Sequence, residues 1–151
     1  MAAGCEDSTI KVKKLSDKDD FIELKAHNGP ILFLDLNPHG NHLASSAGDG
    51  TIRIWNLDTK EVIKTIENLP QASDFSTAKV LNSPVFDKNG KYLAYPSGKS
   101  ISVLKTSDWE VKFKLENGSL ESIYTVCSFS HCGLYIAAGT SKGQVSIWEL
   151  S

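Results

Sequence analysis

The chain has 151 residues, which is enough for one hydrophobic core of its own. Its 16 basic and 18 acidic side chains give a formal charge of −2, which excludes a global positive field that would attract nucleic acid or an anionic membrane. Three cysteines are an odd and sparse set for a disulfide-framed secreted domain, and no apolar run approaches the roughly 20 residues that cross a bilayer. We therefore expect a soluble intracellular protein.

Short runs of alternating apolar and polar residues, bounded by Gly, Asn, Asp and Ser, recur along the chain and predict an all-β fold. The stretches LASSAGDGTIRIWN and IAAGTSKGQVSIWE share their turns and both reach a tryptophan, Trp55 and Trp148. Weaker copies have Lys13 and Leu104 at the tryptophan position. Repeats of roughly 40–45 residues with four strands each are typical of β-propellers, and the chain resembles the WD-repeat family.

The resemblance implies four units, each a blade of antiparallel strands named a to d from the channel outward. Residues 1–27 supply strands b to d of one blade, residues 28–68 and 79–117 supply complete blades, and residues 122–151 supply strands a to c. This is about three and a half blades, whereas closed propellers typically have 4–8. We therefore expect either a part of a longer chain or open strand edges that pair with another copy.

The first unit carries a basic set on adjacent strands c and d and an acidic group in the turn between them. The basic set is Lys11, Lys13, Lys14 and Lys25, and the acidic group is Asp17, Asp19 and Asp20. The lysines could contact DNA or phosphate, but edge lysines also protect strands against aggregation, and we favour that interpretation. The acidic group lacks calcium-loop spacing, so we predict a solvated turn.

The second unit matches a structural device of WD repeats. The resemblance implies a chain of side-chain hydrogen bonds through His27, Ser45, Asp49 and Trp55. Each of these polar groups needs a partner when buried, and a satisfied network specifies one register. The same residue types occur in hydrolase triads, but Ser45 lies inside a strand without a Gly-x-Ser-x-Gly turn, so we predict a structural role.

A long connection, ENLPQASDFSTAKV at residues 67–80, precedes the third unit. Long loops in compact repeats are often functional. Asp74 and Phe75 are therefore our candidates for contact with a protein partner. The alternative is a loop that folds over its own blade.

The third unit, YLAYPSGKSISVLKTSDWEVKFKL, is atypical for a WD repeat because Pro96 lies inside a strand and Trp109 follows strand c. Together with ESIYTVCSFSHCGLYIAAGTSKGQVSIW it resembles the N-terminal propeller of the WD-repeat and HMG-box DNA-binding family, the chromosome transmission fidelity adaptors of the replication fork. The resemblance implies a nuclear, non-enzymatic, chromatin-associated adaptor that couples DNA polymerase α to the replicative helicase. The alternatives are another WD-repeat scaffold, such as a ubiquitin-ligase substrate receptor or a trafficking subunit, and an enzyme built on a propeller.

The last unit contains three possible zinc ligands, Cys127, His131 and Cys132. The repeat places Cys127 inside a strand and Cys132 in a turn, and a fourth ligand is missing, so we predict no metal site. No glycine-rich phosphate loop opens a helix, and we predict neither a cofactor nor catalysis. Ala138 and Lys142 replace the serine and aspartate of the second unit, and the first unit keeps only Asp7. We therefore expect packing alone to hold the first and last blades.

Overall fold

The computed structural model describes residues 1–13, 21–67, 82–118 and 122–150. These ranges contain 14 β-strands. The strands are β1 (Ala2–Gly4), β2 (Thr9–Lys13), β3 (Phe21–Lys25), β4 (Ile31–Leu36), β5 (His42–Ala47), β6 (Ile52–Asn56), β7 (Glu61–Ile66), β8 (Val85–Phe86), β9 (Tyr92–Ser97), β10 (Ser100–Lys105), β11 (Glu110–Glu116), β12 (Tyr124–Phe129), β13 (Tyr135–Thr140) and β14 (Val145–Glu149). Within the described ranges, no helix has the length and apolar character needed to traverse a membrane.

The strands form four antiparallel sheets in which sequence neighbours pair. The first blade is β1–β2–β3, the second is β4–β5–β6–β7, the third is β8–β9–β10–β11, and the fourth is β12–β13–β14. Two four-stranded blades thus lie between two three-stranded ones, and the described strands do not close a ring. This confirms the predicted all-β fold, a partial WD-repeat propeller of about three and a half blades.

Strand β6 illustrates how an alternating sequence produces two buried faces. Ile52 and Ile54 are fully buried against the third blade, while Trp55 packs toward the first. Gly50 reverses the chain just before this strand with a φ of 75°, a conformation that glycine adopts without steric cost. Because successive side chains point to opposite faces, the second blade needs a neighbour on each side.

The hydrophobic core consists of clusters between neighbouring blades. Cys127, Tyr124 and Ile136 of the fourth blade pack on the third. Close approach of the first two blades depends on Gly4, because a Cβ there would lie 2.4 Å from the Cγ2 atom of Ile31. The core is therefore built from inter-blade contacts along the chain.

The fourth blade has one uncovered apolar face. Val145 and Ile147 are 71% and 68% exposed. The matching pairs of strand c in the other blades are at most 5% exposed; these pairs are Ile10 with Val12, Ile52 with Ile54, and Ile101 with Val103. The pattern is the same in all four strands, so the exposure of the last pair reflects the missing neighbour in the described part of the chain.

Pro96 lies within β9, a central strand, where proline is rare because it has no N–H to donate to a neighbouring strand. Pairing between β9 and β8 involves only Leu93 and Ala94. Both the N–H and the C=O of Tyr92 bond to Asp87 on the β8 side, so by the two-residue alternation Pro96 faces that side too. Pro96 lies beyond the residues of β9 that pair with β8, so its lack of an N–H does not interrupt that pairing.

Trp109 lies in the turn between β10 and β11 with a φ of 58°. Its buried ring contacts His42 and Phe86, with centroids 5.2 Å and 6.4 Å away, and the Lys64 ammonium donates to its carbonyl at 2.6 Å. The third unit has Leu104 at the usual tryptophan position. Its tryptophan instead fills the space between the second and third blades from the turn.

Candidate functional site

The four polar residues of the second unit lie together between the first and second blades. The Trp55 indole N–H donates to the Ser45 hydroxyl oxygen at 2.8 Å. Ser45 Oγ lies 2.7 Å from His27 Nε2, and His27 Nδ1 lies 3.0 Å from Asp49 Oδ2. The side chains that the sequence singled out thus form one continuous chain of hydrogen bonds.

Asp49 is held in its turn by several donors. It accepts the backbone N–H of Asn28 at 2.9 Å and both the N–H and the hydroxyl of Thr51, at 3.0 Å and 2.8 Å. Burial alone would raise the pKa of this carboxyl, but the donors from Asn28, His27 and Thr51 outweigh burial and hold the pKa at about 2. Asp49 is therefore ionised, and its carboxylate oxygens only accept hydrogen bonds.

His27 is the centre of the network and is 6% exposed. Burial lowers its pKa, and the hydrogen bond that His27 donates to Asp49 opposes this effect only in part. A neutral imidazole that donates from Nδ1 to Asp49 must accept at Nε2, so the Ser45 hydroxyl donates to His27 and accepts from Trp55. One arrangement of protons satisfies every group, and it joins strands β5 and β6 to the segment that precedes β4.

This geometry argues against a hydrolase triad. Ser45 is 0% exposed, and its oxygen is occupied by the indole N–H of Trp55. A nucleophilic serine needs room for a substrate carbonyl and an adjacent oxyanion site. The network therefore stabilises the fold of this blade.

The first and fourth blades carry polar contacts of their own. In the first blade, Asp7 accepts from the N–H and hydroxyl of Thr9, as Asp49 does from Thr51. In the fourth blade, the Tyr124 hydroxyl donates to Ser146 at 2.9 Å. The prediction that packing alone holds the first and fourth blades was wrong. Asp7 binds Thr9 in the first, and in the fourth Tyr124 supplies a hydroxyl from β12 that the repeat alignment does not reveal.

The predicted basic set lies on one face of the first blade, with the exception of Lys14, which is outside the described residues. Lys25 pairs with Glu23 at 3.0 Å, and the Lys13 ammonium lies 5.0 Å from the centroid of the Phe21 ring. Lys11 is exposed and stands opposite Glu23 in the register. An acidic side chain thus interrupts the positive surface, which weakens its field.

Several other predicted residues are not brought together or cannot be placed. Asp74 and Phe75 lie outside the described residues, as do Asp17, Asp19 and Asp20. Cys127 is buried in the core, and burial raises its pKa to about 12, whereas Cys132 is exposed in a turn. The described ranges contain no group of three His, Cys, Asp or Glu side chains placed to hold a metal ion.

The sequence analysis missed a pocket at the inner edge of the second blade. A pocket of about 240 Å³ is lined by Gly4 and by residues 31–34 of β4. Leu32 and Phe33 are 37% and 38% exposed there, because a bulge between Ile31 and Phe33 shifts the strand register. The run of four apolar residues at the start of ILFLDL, where apolar and polar residues should alternate, was the sequence feature that could have indicated this pocket.

Comparison with known proteins identifies the family. A family model described as the WDHD1 first WD40 domain matches residues 1–151. The chain belongs to this family. The resemblance drawn from the third and fourth units is therefore confirmed.

Related proteins show how much of the family these residues represent. The chain is 30% identical over 151 residues to WD repeat and HMG-box DNA-binding protein 1 of Mus musculus and 26% identical over 149 residues to Minichromosome loss protein 1 of Schizosaccharomyces pombe. Each match covers 99% of this chain but only 14% and 18% of those relatives. The chain thus spans less than a fifth of their length.

A WD-repeat relative of another kind is also similar. Eukaryotic translation initiation factor 3 subunit I of Aspergillus oryzae is 31% identical over 134 residues, which cover 82% of this chain and 37% of that protein. Its similarity is consistent with the shared repeat.

Proposed function

We propose that this chain is a non-enzymatic platform for protein contacts in a nuclear, chromatin-associated replication protein, and that it contributes to coupling DNA polymerase α to the replicative helicase. The observation that carries the proposal is the family match over the whole chain. Relatives named for HMG-box DNA binding and for minichromosome loss point in the same direction. WD40 domains generally mediate protein–protein interactions, and their function lies in surface loops rather than in the scaffold.

The geometry of the second blade supports a scaffold role. Its histidine, serine and aspartate are hydrogen-bonded to one another, and Ser45 is too deeply buried to contact a substrate. Inter-blade packing and satisfied polar groups make a rigid support. Such a support presents loops in fixed positions to partners.

Within this proposal, Asp74 and Phe75 remain our predicted partner contacts. They follow a complete blade and precede another, in the longest connection of the chain. Aromatic side chains contribute large contact area at low entropic cost, and phenylalanine is enriched at protein interfaces. Contact with a protein therefore fits Phe75 better than contact with DNA.

The test is an affinity pull-down from nuclear extract with the full-length protein, followed by mass spectrometry. We expect DNA polymerase α and helicase subunits, and we expect the double change Asp74→Ala and Phe75→Ala to reduce their recovery. Phe21→Ala is the matched control, because Phe21 is an aromatic residue that is 60% exposed on β3. Recovery of ubiquitin-ligase or coat components without replication proteins would contradict the proposal.

Contact between the first blade and DNA is the alternative to the edge protection that we favour for Lys11, Lys13, Lys14 and Lys25, and Glu23 interrupts this set. If these lysines protect a strand edge, Lys11→Ala should leave the salt dependence of DNA binding unchanged. Loss of a phosphate contact would reduce the slope by about one unit. A reduced slope in a salt titration of DNA affinity would instead assign Lys11 to a phosphate contact.

A further inference from the structure

The turns between strands a and b of the second, third and fourth blades meet at one end of the molecule. These turns are residues 37–41, 87–91 and 130–134. The His39 Nε2–H donates to the carbonyl of Asn89 at 3.1 Å, which joins the first two turns. The Lys88 ammonium donates to Nε2 of His131, which joins the second and third. We call His39, Lys88, Lys91 and His131 the basic rim.

Lys88 and His131 occupy the same position in successive repeats. Each is the second residue of its turn between strands a and b. Both side chains are exposed. Their contact brings two exposed basic groups together, so an anion at this point can lie close to both.

Carboxylates on these turns do not neutralise the rim. Among the described residues of the three turns, Asp87 is the only carboxylate, and it is 3% exposed. Its oxygens accept the N–H groups of Asn89 and Tyr92, at 3.2 Å and 2.7 Å, inside its own turn. Among the described residues, neither Lys88 nor Lys91 forms an ion pair with a carboxylate, unlike Lys25, Lys64 and Lys114.

The surroundings of the pair favour a peptide over nucleic acid. Leu134, in the same turn as His131, is 52% exposed, and the following Tyr135 is 42% exposed. Apolar and aromatic groups beside a small cationic site suit a peptide side chain. A nucleic-acid site normally has a broad basic face, whereas this chain has a sequence pI of about 6.1 and a net charge of −2.

We propose that the basic rim binds a phosphorylated serine or threonine in a segment of a protein partner. A phosphate group carries close to two negative charges and three acceptor oxygens, so it can accept from Lys88 and His131 together. Leu134 would contact a neighbouring apolar residue of the peptide. This inference rests on the proposed function as a protein platform and names the chemistry of one partner site.

The first experiment uses the immobilised full-length protein and three probes. The probes are a degenerate peptide library with a central phosphothreonine, the same library with threonine, and a short DNA duplex. We expect the phosphorylated library to be retained about tenfold more than the unphosphorylated one, which corresponds to about 1.4 kcal/mol. The double change Lys88→Gln and His131→Gln should abolish this preference. The matched control is Lys99→Gln with Lys142→Gln, because both lysines are exposed in b–c turns of the same blades.

A second measurement does not depend on how the variants fold. Lysines of the wild-type protein are acetylated with a soluble reagent, and the rates at Lys88, Lys91, Lys99 and Lys142 are compared by mass spectrometry. We expect the phosphorylated library to slow acetylation of Lys88 and Lys91 only. Equal retention of the two libraries, equal protection of Lys99 and Lys142, or protection of Lys88 by DNA alone would overturn the proposal.

The pull-down separates this inference from the proposed function. Recovery of replication proteins by the Lys88 and His131 variant, with no phosphopeptide preference in the wild type, would refute the rim site and leave the platform intact. Phosphopeptide binding at the rim without recovery of replication proteins would support the rim site and refute the replication role.

Discussion

The second and fourth blades have the same sequence pattern in strand c but different environments. Ile52 and Ile54 are 0% exposed, whereas Val145 and Ile147 are 71% and 68% exposed. The second blade lies between two others, and the fourth has a described neighbour on one side only. An alternating pattern therefore specifies that two faces exist, and neighbouring blades determine whether each face is buried.

The polar groups differ between these blades in a corresponding way. Trp55 ends a chain of four side chains, whereas Trp148 packs against the Tyr124 ring with centroids 5.5 Å apart. In the fourth blade the side-chain hydrogen bonds include Tyr124 with Ser146 and Ser122 with Gln144, each at 2.9 Å. A blade can thus keep its register with a small polar contact where packing supplies most of the stability.

The largest difference should appear when the isoleucines are truncated. We expect Ile54→Ala to lower the free energy of unfolding by about 2–5 kcal/mol, because it opens a cavity in a closed core. Ile147→Ala should cost less than about 0.5 kcal/mol in the 151-residue chain, because its side chain is already solvated. Urea unfolding at constant m-value measures both, and equal losses would show that another segment covers Ile147.

Breaking the hydrogen-bond network should have the next largest effect. Ser45→Ala leaves the indole N–H of Trp55 and the Nε2 atom of His27 without their partner, which should cost about 1–3 kcal/mol. The matched change Ser146→Ala removes the acceptor of the buried Tyr124 hydroxyl, but position 146 is only partly buried, so water can replace the acceptor and the cost should be less than about 1 kcal/mol. Equal losses of unfolding free energy for the two variants would mean that the four-residue network stabilises the protein no more than the Tyr124–Ser146 pair does.

Acid should destabilise the second blade through both titratable members of its network. Folding lowers the Asp49 pKa from 3.8 to about 2, so its contribution is present above about pH 4 and disappears as the pH falls toward 2. Folding also lowers the His27 pKa, so stability decreases as the pH falls below its ordinary value of 6.5. Because Asp49 keeps some contact with solvent, we expect a loss of about 1–2 kcal/mol from this carboxyl.

The pH effect has a matched control in an exposed turn. Asp49→Asn should flatten the dependence of the free energy of unfolding on pH between about 4 and 2. Asp108→Asn changes an aspartate in the turn between β10 and β11 and should leave most of that slope in place. A slope that survives in the Asp49 variant would assign acid sensitivity to other groups.

The smallest effect on stability concerns the uncovered face of the fourth blade. Replacing Val145 and Ile147 together by threonine should change the free energy of unfolding of the 151-residue chain little. It should reduce concentration-dependent association in sedimentation experiments, because exposed apolar faces promote contact between copies. Val111→Thr is the control, since Val111 is 53% exposed on the outer strand β11. Association that is unchanged by the double replacement would exclude this face as the contact.

Repeat patterning allowed much of the fold to be predicted. Glycine turns and alternating strands identified the blades, and Trp55 with His27, Ser45 and Asp49 identified the network because WD repeats space these residues consistently. Contacts between side chains of different blades were not predicted from the sequence. The contact of Lys88 with His131 joins turns of successive repeats, and no pattern within a few residues indicates it.

The third blade shows a second limit. Leu104 suggested a repeat that had lost its tryptophan, but Trp109 fills the adjacent inter-blade space from the turn. A side chain in a turn can reach a core only if the backbone directs it there, and Trp109 does so with a positive φ. Such a conformation is costly for a bulky residue and is maintained by the surrounding packing.

The sequence by itself determined the strands, their alternation and the family, because hydrophobic period and turn chemistry act over a few residues. Tertiary structure alone decided which apolar faces are buried, how Ser45 and His27 share their protons, and which basic side chains meet at the rim. Burial, hydrogen bonding and charge depend on groups from neighbouring blades, and these groups become neighbours only when the chain has folded.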